Sequence, residues 1–265
     1  MKYGFIGVGN MAQAILEGLS QKDMLGKQSG REFFLFDIDE NKTTSVAQKY
    51  GLNVCATANE VAAASDVLIL AIKPNNLHDL LLDLNAVIKE RQPVLVSLPV
   101  GISIKNIEEM LGFDAPIIRI VANVNTEVFL SVTSLCGNKK ALPHKNHVTE
   151  LLEAIGSVIE LDEKYFDVFT VIAGSAPAFV IKFSEALAEA ALREGLPKNL
   201  ARQIIAEMIF GTGKMLAVND PLAMSDKICS PGGTTIVGLT ALAAGGFDSA
   251  VHSAVAACME RLSRG

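Results

Sequence analysis

An apolar run, Tyr3-Gly4-Phe5-Ile6, feeds directly into Gly7-Val8-Gly9-Asn10-Met11-Ala12, and a helical pattern follows at once. Few folds accommodate a G-x-G-x-x-A turn between a strand and a helix. The first glycine permits the tight turn, the second lets a ligand approach the backbone, and a small sixth residue lets the helix pack closely on the strand. A helix that starts here presents N–H groups with no intrahelical partner, and these suit phosphate oxygens. Gly7, Gly9, Asn10, Met11 and Ala12 are therefore expected to take the pyrophosphate of a dinucleotide. A glycine turn alone is a weak signal; a strand before it, a helix after it and further strand–helix units strengthen it.

Those further units are present. Short β-rich runs occur at residues 3–6, 33–36, 67–71, 94–98 and 117–121, with a weaker one at 52–55 and later ones at 132–136 and 158–161. Helix-length segments at 11–19, 42–50, 77–89 and 104–111 separate them. Val67-Leu68-Ile69-Leu70-Ala71 is apolar without alternation, the pattern of a parallel strand covered on both faces. The expected fold class is α/β: an N-terminal Rossmann domain, a doubly wound and mostly parallel sheet over residues 1–161. From Glu163 onward no strand pattern appears. Phe179, Phe183, Leu187 and Ala191 fall at helical spacing, Gly195 and Pro197 stop that helix, and Leu200, Ile204 and Met208 continue in another. A last helix carries Val251, Val255, Cys258 and Leu262, with Asp248 as its expected N-cap. Residues 162–265 thus read as an all-α domain, apolar on more than one face. Such a surplus suits a homodimerisation domain, or packing against the chain's own Rossmann domain.

Composition narrows the partners. Of 265 residues, 23 are Lys or Arg and 29 are Asp or Glu, a formal net charge of −6, which argues against nucleic acid. No apolar run is expected to reach the length of about 18 residues that suggests a membrane span. Residues 1–11 lack the pattern of an export signal, so no membrane association and a cytoplasmic location are expected. Cys55, Cys136, Cys229 and Cys258 are far apart and form no C-x-x-C pair, and His144 and His147 lack further ligands nearby, so no metal site is expected.

The second strand runs Leu35-Phe36-Asp37-Ile38-Asp39. An acidic side chain at this strand end accepts hydrogen bonds from the adenosine ribose and repels an added 2′-phosphate, so Asp37 leans towards NADH over NADPH. The other reading is that Asp37 caps the following turn and leaves selectivity loose. Near the C-terminus stands Ser230-Pro231-Gly232-Gly233-Thr234-Thr235. Ser suits an N-cap and Pro the first helical position, so a helix is expected to start at Ser230. The double glycine leaves N–H groups open to an anion such as a carboxylate, beside two hydroxyls; a plain cap is the alternative.

Ser230–Thr235, followed by Gly238-Leu239 and Gly245-Gly246, resembles the signature of pyrroline-5-carboxylate reductases. The resemblance spans nearly the whole chain through Phe5-Ile6-Gly7-Val8-Gly9-Asn10-Met11, Ala71-Ile72-Lys73-Pro74 and Ala173-Gly174-Ser175-Ala176-Pro177-Ala178. It implies reduction of 1-pyrroline-5-carboxylate to L-proline, the last step of proline biosynthesis, with NADPH or NADH. It also implies a homodimer swapped through the helical domain, with further assembly into decamers in some members. By motif, Ser230, Gly232, Gly233, Thr234 and Thr235 would bind substrate, with Thr235 near the ring nitrogen. Ala71, Ile72, Lys73 and Pro74 would line the cofactor's path, and Asn59 would match a ribose-side asparagine. The chain departs from the family at Ala122-Asn123-Val124-Asn125, where Pro-Asn-Thr-Pro is usual, and at Pro99-Val100-Gly101, where Ala-Ala-Gly is usual. Ala176 stands for a glycine and Phe179 for a tyrosine.

Two other readings compete. β-Hydroxyacid-type dehydrogenases share the two-domain plan and use a helix lysine as acid; Lys182 is on the long helix, but the Gly-x-x-x-Asn-x-x-Lys spacing is absent. A cofactor-binding regulatory relative without activity is compatible with the altered 122–125 loop. No His–Asp or Cys–His pair stands out, which fits a reaction that needs orientation more than a strong base.

Overall fold

Strands that are apolar at every position must be covered on both faces, and the elements alternate to provide that cover. The computed structural model describes residues 1–264. In chain order they are β1 (Lys2–Ile6), α1 (Asn10–Gln21), β2 (Glu32–Phe36), α2 (Glu40–Tyr50), β3 (Asn53–Val54), α3 (Ala58–Ala64) and β4 (Val67–Leu70). Then follow α4 (Leu77–Arg91), β5 (Val94–Ser97), α5 (Ile104–Leu111), β6 (Ile117–Val121), β7 (Ser131–Gly137), α6 (Lys145–Leu152) and β8 (Gly156–Glu160). They form one sheet in the order β3-β2-β1-β4-β5-β6-β7-β8. Pairing is parallel except between β6 and β7. The order reverses between β1 and β4, which opens a crevice at their carboxyl ends.

Successive side chains of each strand go to opposite faces, so the sheet carries two cores. Phe5, Phe33, Val67, Ile69 and Ile120 meet Ile15, Leu16 and Leu19 of α1 and Val148 and Leu151 of α6 on one face. Ile6, Leu68, Leu70, Leu95 and Ile117 meet Val61 of α3, Leu81 and Leu84 of α4 and Ile107 of α5 on the other. The strand expected at 52–55 shrinks to the two exposed residues of β3 at the sheet edge.

The described chain divides into two compact units, Met1–Gly174 and Ser175–Arg264. Residues 162–174, expected to open the second domain, belong to the sheet unit because the sheet grips them. Arg119 of β6, nearly buried, donates from Nη1 to Glu163 Oε1 at 3.0 Å. Its guanidinium lies 4.8 Å from the ring centroid of fully buried Phe166. Asn123 Nδ2 donates to the Ala173 carbonyl at 3.1 Å. Phe166 opens the short α7 (Phe166–Phe169), and a π-helical stretch, Thr170–Ser175, follows.

The second unit contains α8 (Ala176–Arg193), α9 (Lys198–Leu216), α10 (Pro221–Ile228), α11 (Thr234–Ala244) and α12 (Phe247–Ser263). Its buried core in one chain is small: Ala188 of α8 with Ala201 and Ile205 of α9. Ile181, Ile204, Phe210 and Val237 all stand exposed. Against expectation, the helical run Glu163–Arg193 is long and apolar enough to cross a membrane by length and composition, because Ala, Val, Ile and Phe dominate its middle and charges are sparse there.

Two helix starts differ from expectation. The last helix begins at Phe247 with Gly246 as N-cap, so Asp248 sits in the first turn, where its charge still complements the helix dipole. The helix expected at Ser230 begins at Thr234 with Gly233 as N-cap. Ser230-Pro231-Gly232-Gly233 instead forms a β-turn closed by Gly233 N–H to the Ser230 carbonyl at 3.0 Å, with Gly232 at φ +66°. Pro before a positive-φ glycine is the type II pattern, and it wins over Ser-Pro as a helix start.

Candidate functional site

The turn after β1 is fixed by its own geometry. Gly7 has φ +92°, and a Cβ there would lie 2.4 Å from the Ala71 carbonyl oxygen, so only glycine lets β1 and β4 exit side by side. Gly7 N–H donates to the Phe36 carbonyl at 2.8 Å, which ties the turn to the end of β2. Around Gly9 the space a Cβ would enter is open, and Gly9 caps α1 with no side chain across its first N–H groups. Ala12 is fully buried beneath the turn and Asn10 is exposed above it. A surface of bare backbone donors at the start of a 12-residue helix fits a pyrophosphate.

A cleft of about 530 Å³ opens at this point, lined by Gly7 and Gly9 from the turn, Asp37 and Ile38 after β2, and Ala71, Ile72 and Lys73 after β4. Asn76, Asp79 and Leu80 close its far wall. A second cavity of about 180 Å³ shares Ala71 and Ile72 with the first. Its other walls are Met11, Leu98, Val100 and the Ile120-Val121-Ala122 end of β6, all apolar. Thr126 Oγ1 lies 3.7 Å from Met11 Sδ, so the loop after β6 packs onto the start of α1. Pro74 begins a 3₁₀ turn, Pro74–Asn76, that leads from Lys73 into α4.

Asp37 is half-buried and both its oxygens are engaged. Val8 N–H donates to Oδ2 at 2.6 Å and Asp39 N–H to Oδ1 at 2.9 Å. Asp39 in turn caps α2, accepting from Lys42 N–H at 3.3 Å, and Lys42 Nζ lies 3.5 Å from its carboxylate. Asn59 does not line either cavity: its Nδ2 donates to Asp83 Oδ2 at 2.8 Å, on α4.

In the helical unit, Gly232 and Gly233 form the turn just described and Thr234 and Thr235 open α11. No side chain caps this helix, so its first N–H groups face outward. A Cβ on Gly233 would lie 2.4 Å from Ser230 Oγ and 3.1 Å from the Ser230 carbonyl oxygen, so Gly233 packs closely on the start of the turn. Thr235 is half-exposed and Thr234 exposed.

Sequence reasoning missed the second cavity as a unit, although it had marked Val100 and Ala122 as departures from the family pattern. Both lie on the cavity wall. It also missed Asn76 and Asp79, signalled only by their place in the first turn after β4. A separate cavity of about 550 Å³, by α5 and the end of β7, is lined by Cys136, Glu108 and Glu163 among others. Burial, helped by the Glu163 charge, pushes the Cys136 thiol up to about 12, which removes it as a nucleophile near neutral pH. Among the described residues, no group of three or more His, Cys, Asp or Glu is placed to hold a metal.

Comparison with known proteins agrees with both halves of the chain. A family described as pyrroline-5-carboxylate reductase dimerisation matches residues 163–264, and one described as NADP oxidoreductase, coenzyme F420-dependent, matches residues 2–101. The pyrroline-5-carboxylate reductase of Escherichia coli (strain K12) is 31% identical over 263 residues, 98% of this chain and 96% of the relative. A crystal structure of 1-pyrroline-5-carboxylate reductase from Streptococcus pyogenes superposes with a TM-score of 0.86 at 32% identity, covering 100% of this chain and 99% of that one. The pyrroline carboxylate reductase of Plasmodium falciparum with NADP bound gives a TM-score of 0.85 at 29% identity, covering 99% and 97%.

Proposed function

Because the chain belongs to the pyrroline-5-carboxylate reductase family and reduces 1-pyrroline-5-carboxylate to L-proline with a nicotinamide cofactor, we propose a division of that work between its two helix starts. The observation that carries the proposal is the pair of neighbouring cavities at the β1/β4 crevice, which share Ala71 and Ile72, one lined by Gly7, Gly9 and Asp37 and the other by Met11, Val100 and Ala122. Gly7, Gly9 and the start of α1 take the pyrophosphate. Asp37 takes the adenosine ribose; Asn59, at the start of α3, is engaged with Asp83 outside both cavities and takes no part in this reading. Ala71, Ile72, Lys73 and Pro74 form the rail along which the dinucleotide lies. Met11, Val100 and Ala122 exclude water from the end where the reaction occurs. The reduced nicotinamide supplies the two electrons and one hydrogen added at the imine carbon.

The substrate carboxylate goes to the outward N–H groups at the start of α11, where Gly232, Gly233 and Thr234 leave them open. Ser230 shapes the turn before them. Thr235 orients the ring nitrogen, or relays a proton to it from water; a cyclic imine draws that proton from solvent, so no strong base is needed. In this reading a partner subunit contributes α11, and the apolar faces of α8, α9, α11 and α12 form the subunit interface. The same reading makes the protein a cytoplasmic homodimer, with decamers as a further level of assembly.

Both NADH and NADPH enter the reaction in this proposal, with NADH preferred. Asp37 and Asp79 both line the cleft, and the nearest cation after β2, Lys42, is tied to Asp39. A 2′-phosphate beside Asp37 would meet its carboxylate, while Lys73, the cation of the cleft lining, belongs to the segment after β4. The test is a single assay that follows oxidation of NADH and NADPH side by side with pyrroline-5-carboxylate, with a 2-oxo acid and a 3-hydroxy acid as controls. Conversion to proline with higher kcat/KM for NADH is expected. Cofactor binding without turnover would overturn the assignment of roles and leave a regulatory relative. Higher kcat/KM for NADPH would overturn the preference alone.

A further inference from the structure

We propose that Asp37 is the positioning residue of the phosphate-binding turn, a role separate from any reading of the ribose. The inference rests on the dinucleotide site argued above and deepens it. Val8 lies between the two glycines that touch phosphate, and its N–H would otherwise have no partner in the turn's own backbone. Asp37 Oδ2 accepts it at 2.6 Å, a short, charge-assisted bond. Oδ1 accepts Asp39 N–H at 2.9 Å, so the same carboxylate fixes the chain on its own side of the crevice. The adjacent backbone bond, Gly7 N–H to Phe36 carbonyl at 2.8 Å, joins the same two segments. The β1 turn and the β2 end are thus latched by one main-chain and one side-chain bond. Gly9 follows directly in the chain, with open space where a Cβ would lie.

The latch leaves capacity to spare. A carboxylate oxygen has about two acceptor sites, and here each oxygen spends one on the backbone. Ribose hydroxyls can therefore be read by the remaining sites without releasing the turn. A serine at 37 carries a shorter side chain with one oxygen, which does not span the distance to both N–H groups. An asparagine keeps one acceptor oxygen in nearly the same place for Val8 N–H and loses the negative charge.

This makes the two roles of Asp37 separable in one experiment. Asp37→Ser and Asp37→Asn are each assayed for KM and kcat with NADH and with NADPH, at saturating pyrroline-5-carboxylate. If Asp37 holds the turn, Asp37→Ser raises KM for both cofactors, by about tenfold for a lost charge-assisted bond, and KM rises by a larger factor than kcat falls. Asp37→Asn then restores much of the NADPH affinity, since the turn is held and the charge is gone. A clean exchange, in which Asp37→Ser lowers KM for NADPH while raising it for NADH, overturns the latch and leaves the ribose reading intact. Parallel increases with an unchanged NADH/NADPH ratio support the latch and overturn the ribose-based preference. Unchanged KM for both cofactors in both variants overturns both roles. Thermal melting of each variant identifies general unfolding, and Asp37→Asn, nearly isosteric, keeps the test decisive if the serine variant does not fold.

Discussion

At the scale of single residues, the proposed chemistry draws on backbone donors left bare by small side chains. Gly9 and Gly233 cap their helices without covering them, and Thr235 is the one hydroxyl beside the second cap that is half-sheltered. Thr235→Val keeps the shape of that side chain and removes the hydroxyl proposed to orient the substrate. Its kcat/KM for pyrroline-5-carboxylate is expected to fall by about 10- to 100-fold, while its KM for NADH and its melting temperature stay close to those of the parent. Steady-state kinetics and calorimetry check this together. The glycine turn was legible in the sequence because the tight exit from β1 beside β4 admits only glycine at position 7, and Asp37 because it stands at the end of an apolar strand. The second bond of Asp37, to Val8, was not: nothing in a linear sequence says that a carboxylate 29 positions away reaches that N–H. Ser230 misled for a related reason. Ser-Pro opens a helix and Ser-Pro-Gly-Gly closes a type II turn, and the two patterns share their first residues.

At the scale of elements, the strands could be read because parallel strands covered on both faces are apolar at consecutive positions. Arg119 is the exception within that pattern, a cation in the middle of Ile117–Val121, and its partner Glu163 lies 44 positions on. Glu163 Oε1 also accepts Ile104 N–H at 2.8 Å, so one carboxylate joins β6, the start of α5 and the segment leading to α8. Arg119 is 4% exposed, and removing its counter-charge leaves a desolvated guanidinium. Glu163→Ala is expected to destabilise the protein by about 3 kcal/mol, read as a lower denaturant midpoint with an unchanged slope. A loss below about 0.5 kcal/mol, the level of an exposed pair, would contradict this account. Ile120 to Ala122 follow Arg119 directly and wall the apolar cavity, so slackening of the segment should also lower turnover.

At the scale of the whole molecule, the two units differ in what sustains them. The sheet unit has large cores on both faces. The helical unit, in one chain, buries only a few residues and leaves Ile181 62% exposed on α8. In the proposed dimer a second copy covers that surface. Ile181→Glu places a charge in it and is expected to shift sedimentation from dimer to monomer at micromolar concentration and to abolish proline formation. A dimer retained at full activity would place the interface elsewhere. The all-α character of this half was legible in its spacing, whereas the partner that completes its core leaves no mark in the sequence beyond an excess of apolar residues.

The small core of the helical unit also has a consequence in time. A unit that cannot close its own core must finish folding by meeting another copy, so the last step of refolding is second order in protein. The sheet unit, whose β1 pairs with β4 across more than 60 positions of chain, forms by slower internal search but without waiting for a collision. Dilution would then separate the two events, slowing the appearance of activity while leaving recovery of the sheet's hydrogen bonds at the same rate. The newborn chain is most exposed to aggregation in that interval, when the dinucleotide cleft is built and the helices are still unpartnered.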